Sequence, residues 1–176
     1  MKSFNYSFQY KSFLLRSICM IFLYLSSSAF SQTMTISGSD WTVNLTPVTE
    51  AGSDYNPNTY LSDPTQIQLT VSVPLLLGSG RVSAHYQPNP NWDPALKLAI
   101  KRTNDGTTLC VLCTITGGKD DFLTLAQTDI DIFKIQAVLA LAAYNNIGLQ
   151  LRLSGVSVTI PAAAYNSRIM FTVSSP

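Results

Sequence analysis

The sequence has little charge. Of its 176 residues only 12% are Asp, Glu, Lys or Arg, and these are scattered rather than gathered into a stripe. Because a nucleic-acid-binding protein needs a basic face to neutralise phosphates, we expect no nucleic-acid partner. Disorder is not expected either, since 46% of the residues are hydrophobic and one core can form from them.

The residues of nucleophilic catalysis are also scarce. His85 is the only histidine, and the chain has no Gly-x-Ser-x-Gly nucleophile motif. His85 lies in a predicted strand, out of phase with its apolar neighbours, so we expect it to face solvent. We therefore predict that the protein is not an enzyme and carries no cofactor.

Carboxylates are few, and their spacing is not that of a known metal loop. Three small groups could in principle gather as a calcium site, and some of their members could form a glycosidase pair. The glycine and the distal glutamate of an EF-hand loop are missing, so we interpret them as solvated turn residues and predict no metal. The groups are Asp120 with Asp121, Asp129 with Asp131, and Asp54 with Asn56 and Asn58.

Cysteine is rare, and one cysteine, Cys19, lies in the N-terminal segment. Cys110 and Cys113 form a C-x-x-C in a predicted strand, whereas a redox motif needs a helix N-terminus. A zinc site would need two further ligands, and only His85 is a candidate. We predict a local disulfide on an irregular strand, with two unbridged, buried cysteines as the alternative.

The N-terminus is typical of a secretory signal. Three cations precede a short apolar run, Ile18–Leu25, and small residues follow it as far as Ser31. The run is shorter than the roughly 20 residues that span a bilayer, so we favour cleavage over the alternative of a membrane anchor. The cations are Lys2, Lys11 and Arg16.

Cleavage divides the chain into a signal peptide, residues 1–31, and a single domain, residues 32–176. The domain keeps eight Lys and Arg and ten Asp and Glu, a net charge of 8 − 10 = −2. No other stretch is long and apolar enough to cross a membrane. We predict a bacterial protein that is secreted or held at the cell surface, with no membrane span after signal cleavage.

Alternation of apolar and polar residues, with frequent turn residues, dominates this domain. It predicts an all-β fold, an antiparallel β-sandwich of about 7–8 strands, immunoglobulin-like or jelly-roll-like. Phe122–Ala126 is a possible short strand. The clearest runs are Trp41–Leu45, Gln66–Val73, Arg81–Gln87, Leu96–Lys101, Thr108–Thr116, Leu149–Leu153, Val156–Ile160 and Ile169–Val173.

Two connections need separate interpretation. The sequence Asn104-Asp105-Gly106-Thr107 predicts a hairpin turn, because Asp-Gly tolerates positive φ, so Thr108–Thr116 should pair back on the preceding strand. Ile132–Tyr144 is apolar almost all round and rich in helix-forming residues. We interpret it as a short helix or an irregular crossover between sheets.

Aromatic side chains in predicted loops suggest a ligand surface. Tyr55, Tyr60 and Trp92 are candidates for stacking on a sugar ring, whereas Trp41 and Tyr165 are expected to pack on the core. The alternative is that all of them pack on the core or cap its ends.

The C-terminal third of the chain resembles secreted bacterial pilin-like β-sandwiches, including spore coat protein U-like and fimbrial subunits. The resemblance lies in Gly155–Pro161, the Ala164-Tyr165 step and the alternating Phe171–Val173 that follows, with a surface-protein hairpin at Lys101–Gly106. It implies a structural role at the surface, with assembly by strand exchange in some relatives. It implies no catalytic residues.

Two functions follow as hypotheses. The first is a structural or adhesive surface subunit that pairs a sheet edge with another copy of itself or with another surface protein. Gln32–Ile36 is the candidate donor strand, with Met34 and Ile36 as its anchors. The second is an extracellular carbohydrate-binding module that uses the loop aromatics to bind glycans.

Overall fold

The computed structural model describes residues 32–73, 78–137 and 142–175, so the predicted signal peptide lies outside the described residues. Gln32–Pro176 forms one compact unit. Its described part is all-β, as predicted, and it contains no helix. The strands are β1 (Thr33–Gly38), β2 (Thr59–Leu61), β3 (Ile67–Val73), β4 (Ser79–Pro88), β5 (Lys97–Arg102), β6 (Thr114–Thr116), β7 (Leu123–Thr124), β8 (Ile130–Gln136), β9 (Ala142–Ser154) and β10 (Ser167–Ser174).

The strands form two antiparallel sheets that pack together as a sandwich. The larger sheet has the order β1-β3-β9-β5-β7, and β2 pairs with β9 beyond the end of β3. The smaller sheet has the order β10-β4-β8-β6. The predicted β-sandwich is therefore confirmed.

The core follows from the alternation of the long strands. In β3 the side chains of Leu69, Val71 and Val73 are buried, and the polar residues between them are less so. They meet Phe133 and Ile135 of β8 in one apolar cluster. Because neighbouring side chains of a strand point to opposite faces, each such strand contributes one apolar face to the space between the sheets.

Two β-bulges interrupt this alternation. In β8, Val82 pairs with Phe133 and Ser83 with Asp131, which leaves Ile132 as an extra residue, so Ile132 and Phe133 are both buried. An extra residue shifts the phase of a strand and lets consecutive apolar residues share one core.

The second bulge lies in β9. Leu69 pairs with Ile147 and Val71 with Tyr144, so two residues of β9 oppose Thr70. One of them, Asn146, has φ 58°, a conformation that asparagine tolerates better than most residues. Tyr144 and Ile147 therefore both reach the core although three positions separate them.

Within the described residues, the helix predicted for Ile132–Tyr144 is wrong. Residues 132–136 belong to β8 and residues 142–144 belong to β9, while 138–141 lie outside the described residues. After Phe133 burial alternates with a period of two, since Ile135 and Ala137 are buried and Lys134 and Gln136 are exposed. The alternative, a passage between sheets, agrees with β8 and β9 lying in different sheets.

The hairpin predicted after β5 is also wrong. The side-chain Oδ1 of Asn104 accepts hydrogen bonds from the backbone N–H groups of Gly106 (2.9 Å) and Gly148 (2.8 Å), which holds the loop against β9. The chain then crosses to the smaller sheet, where Thr114–Thr116 pairs with β8 as strand β6. The Asp-Gly signal is local, whereas the partner of the following strand is set by these distant contacts.

Two other predicted strands have no backbone ladder. In Trp41–Leu45 the half-buried Trp41 and Val43 alternate with exposed residues, so one side of an extended segment packs on the protein without pairing. Val156–Ile160 folds into turns after Gly155, whose φ is 82°. Alternation of apolar and polar residues shows only that one side of a segment is packed. An extended segment whose backbone pairs with no strand can show the same alternation.

A buried cation joins the loops beside β5. Arg102 is 2% exposed, and its guanidinium donates to the carbonyl oxygen of Gly117 (2.9 Å) and to the carboxylate of Asp105. Lys119 reaches the same carboxylate at 3.3 Å. Burial acts to raise the pKa of Asp105, but hydrogen bonds and charge from Lys119 and Arg102 outweigh it and hold that pKa below its usual value.

We expect Arg102→Met to destabilise the domain by about 2–3 kcal/mol, because it removes the charge-assisted hydrogen bonds that this buried side chain makes to Gly117 and Asp105. Urea denaturation measures the loss. Lys101→Met is the matched control on the same strand, since Lys101 is only half-buried, and it should cost under about 1 kcal/mol. Equal losses in the two variants would contradict this role of Arg102.

Candidate functional site

A large concavity of the described residues lies between the edges of the two sheets. It has a volume of about 1260 Å³ and is named here the edge cleft. Its floor comes from the inner face of the larger sheet, and β10 of the smaller sheet forms one side. The chain after β1 and the loop before β10, residues 156–166, form the remaining walls. The floor residues are Ile67, Leu98, Leu151 and Leu153.

Strand β10 presents an incompletely covered apolar face to this cleft. Its inward side chains, Ile169 and Phe171, pack on the core but stay half-buried, unlike the fully buried inward residues of β3. Along its length β10 pairs with β4, and in the described part of the chain no strand pairs with its other edge. One sheet edge therefore combines free backbone groups with exposed hydrophobic surface.

A carboxylate fastens the loop that forms one wall of the cleft. Asp54 Oδ1 accepts hydrogen bonds from the backbone N–H groups of Tyr55 (2.8 Å) and Val158 (2.9 Å). These two bonds, that from Val158 first, lower the pKa of Asp54 below its usual value. Asp54, considered from sequence as a calcium ligand, thus joins two distant loops through backbone amides.

The same wall is held at its other end by Tyr165. Its hydroxyl donates to the carbonyl oxygen of Pro161, four residues earlier, immediately before β10 begins. The carbonyl oxygen of Asn166 accepts from the backbone N–H of Asn89 at 3.1 Å. A tyrosine that bonds back to the chain in this way is typical of the corners of β-sandwiches.

The structure separates the three aromatic residues proposed to stack on a sugar. Tyr55 and Trp92 line the edge cleft, whereas Tyr60 lies in β2, paired with Leu153, and is not part of the lining. Trp92 packs against Tyr86, with ring centroids 6.0 Å apart and planes at 50°. Its buried Nε1 has no hydrogen-bond partner. Only two of the three candidates share a surface.

The candidate donor segment forms β1, which pairs with β3 of its own chain. Met34 pairs with Val71 and Ile36 with Leu69. Met34 is half-buried against the core, whereas Ile36 is 54% exposed and lines the cleft. β1 is therefore an edge strand of the larger sheet. It lies next to the cleft, and few of its side chains are buried.

His85 lies in β4, away from the edge cleft, with its Nδ1 2.6 Å from Asp129 Oδ1. Arg81 Nε is 3.4 Å from Asp131 Oδ1 on the same pair of strands. Each carboxylate thus faces its own basic partner, and His85 has no hydroxyl partner within the described residues.

The other carboxylates do not gather into a ligand set. Asp120 and Asp121 are exposed in the loop before β7, and Lys101 Nζ donates to the backbone oxygen of Asp120 at 3.2 Å. Across residues 32–73, 78–137 and 142–175, no group of three or more His, Cys, Asp or Glu side chains is placed to hold a metal ion.

Cys110 and Cys113 form a disulfide, as predicted, with their Cα atoms 5.4 Å apart. They lie in a loop between β5 and β6 and not in the strand predicted over Thr108–Thr116, which is reduced to β6. Side chains three apart in a regular strand point to opposite faces, so the bridge requires the irregular backbone that is observed.

Comparison of the chain with protein-family models, with curated proteins and with solved structures gives no match. The resemblance to pilin-like and spore coat protein U-like sandwiches therefore stays a prediction. Among the described residues, the structure has no helix with the length and hydrophobicity to cross a bilayer.

We expect the contact between Asp54 and Val158 to weaken in acid. A carboxylate with a lowered pKa contributes fully to stability above its ordinary pKa of 3.8, and this contribution is lost as the pH falls through the lower folded pKa. In an NMR titration the amide shift of Val158 should follow that protonation. The dependence should vanish in Asp54→Ala and persist in Asp40→Ala, an exposed carboxylate of the same cleft. Persistence in both variants would contradict the assignment.

Proposed function

We propose that the protein is an exported, non-enzymatic structural or adhesive surface subunit that assembles by β-strand addition at the edge cleft. One observation carries the proposal: the half-buried Ile169 and Phe171 of β10 face the cleft, and the described chain supplies no strand for the outer edge of β10. An unpaired edge is a template for another strand.

A strand added beside β10 would make two kinds of contact at once. Its backbone would pair with the free N–H and C=O groups of β10, and its alternate side chains would cover Ile169 and Phe171. Each apolar side chain that becomes buried contributes on the order of 1.5–3 kcal/mol. The apolar floor, with Leu151 and Leu153, would accept the inward side chains of the added strand.

The donor we propose is β1 of a neighbouring copy. It borders the cleft, and most of its residues are exposed, so little burial is lost when it leaves β3. Residues 39–58, which follow it, contain no strand and give it length to reach another molecule. The alternation of Met34 and Ile36 suits a strand that is covered on one face.

We expect Met34→Asp combined with Ile36→Asp to reduce assembly of the chain that starts at Gln32, because both changes place charge on the face to be buried. Size-exclusion chromatography and negative-stain electron microscopy report the assembled species. Thr33→Asp combined with Thr35→Asp is the matched control on the opposite face of the same strand.

The proposed assembly also has a clear contrary result. A wild-type chain that stays monomeric at all concentrations, or filaments that are unaffected by charge at Met34 and Ile36, would count against it. Circular dichroism of both variants separates a loss of assembly from a loss of folding.

A second candidate function is carbohydrate binding in the same cleft. The observation that favours it is that Tyr55 and Trp92 both line the cleft. Aromatic rings can stack on sugar rings, and a large cleft with aromatic lining suits such a ligand.

We expect Tyr55→Ala to weaken binding on a glycan array if this second function holds, since it removes a stacking face that is not part of the core. Tyr60→Ala is the control, because Tyr60 lies outside the cleft. Absence of binding to any glycan by the wild-type chain would remove this candidate.

A further inference from the structure

A disulfide-closed loop exposes a run of aliphatic side chains at one end of the sandwich. Leu109 is 101% exposed, Val111 93% and Leu112 59%, and Cys110 and Cys113 bridge around the last two. The segment Leu109–Cys113 is named here the apolar tip. Single exposed apolar residues are ordinary, but several adjacent ones on a surface mark an interaction site.

The apolar tip spans the end of the sandwich from one sheet to the other. On one side Thr107 bridges to Asn145, next to the bulge in β9. On the other side Thr114 pairs with Gln136 at the end of β8. The backbone N–H of Ala137 donates to the carbonyl oxygen of Gly78 at 2.8 Å, so the start of β4 reaches the same end. Three stretches of the chain therefore meet there.

All three stretches are free of charged residues. The sequence has no Asp, Glu, Lys or Arg between Asp63 and Arg81, between Asp105 and Lys119, or between Lys134 and Arg152. All 18 charged residues of the domain therefore lie outside the three stretches, whereas an even distribution along the chain would place some of them inside. The absence of charge thus extends over the three stretches themselves, and the charged residues Asp105, Lys119 and Lys134 lie at their limits.

We propose that the apolar tip inserts into the surface of a lipid bilayer and docks this end of the sandwich on the membrane. Leu and Val side chains gain free energy on entering hydrocarbon, whereas a charged residue is costly there, so an uncharged rim suits a bilayer. A protein partner would tolerate charge around an apolar centre. Because no basic residue flanks the tip, uncharged phosphatidylcholine should suffice.

The shape of the tip favours the same partner. Leu109 and Val111 are almost fully exposed and line no part of the edge cleft, so the tip presents projecting side chains rather than the walls of that cleft. The disulfide restrains the loop, which reduces the conformational entropy lost when it is immobilised on binding. This docking is independent of strand addition at β10, which lies along a sheet edge.

A fluorescent reporter at the tip tests the proposal in the full chain. The readout must be local, because the apolar run Ile18–Leu25 can bind lipid by itself. We expect Val111→Trp emission to shift to the blue with phosphatidylcholine vesicles and to be quenched by brominated acyl chains. Val158→Trp, in the wall of the edge cleft and 50% exposed, should show neither effect. The wild-type chain, with its two tryptophans, gives the background.

An unchanged Val111→Trp spectrum with vesicles would overturn the proposal. A blue shift that appears without lipid and grows with protein concentration would also overturn it, because the tip would then bind another copy of the protein. In a further arm, Leu109→Ser and Leu112→Ser are added to the Val111→Trp chain, and they should lower the lipid affinity detected by quenching roughly tenfold or more relative to Val111→Trp alone. Circular dichroism should stay unchanged, because these side chains are exposed.

Discussion

The pairing of β9 on both of its edges is the constraint on which the rest of the sandwich depends. Its backbone pairs with β3 and β2 on one side and with β5 on the other, so it joins residues from both halves of the chain. A central strand leaves few backbone groups unpaired and buries one whole face. The strands β1 and β10 lie at edges of the two sheets, and each keeps an unpaired side within the described chain.

Two β-bulges and a buried arginine let the sandwich accommodate residues that do not fit a regular alternation. The bulge beside Thr70 changes the phase of β9, and the one at Ile132 changes that of β8, so apolar residues of both phases enter one core. Arg102 fixes the loop from β5 by bonding Gly117 and Asp105. A guanidinium can do this in a buried place because it has five donors to satisfy carbonyl and carboxylate oxygens together.

The proposed activities lie on surfaces where this frame is incomplete. β10 exposes part of its inward face to the edge cleft, which suits an added strand, whereas the apolar tip projects from the end of the sheets. The two surfaces differ in chemistry: one combines free backbone groups with side chains, and the other offers side chains alone. A strand recognises the first through hydrogen bonds, and a bilayer, which supplies no backbone partner, suits the second.

Alternation by itself determined the all-β class and the inward faces of β3 and β10, because burying one side of a strand needs only the local period of two. The cysteine spacing was enough to indicate the bridge between Cys110 and Cys113. Only the tertiary structure decided that β6 pairs in the other sheet, that Val156–Ile160 is no strand, and that Tyr60 lies apart from Tyr55 and Trp92. Those outcomes depend on which distant backbone groups meet, such as Asn104 with Gly148, and no local pattern encodes that choice.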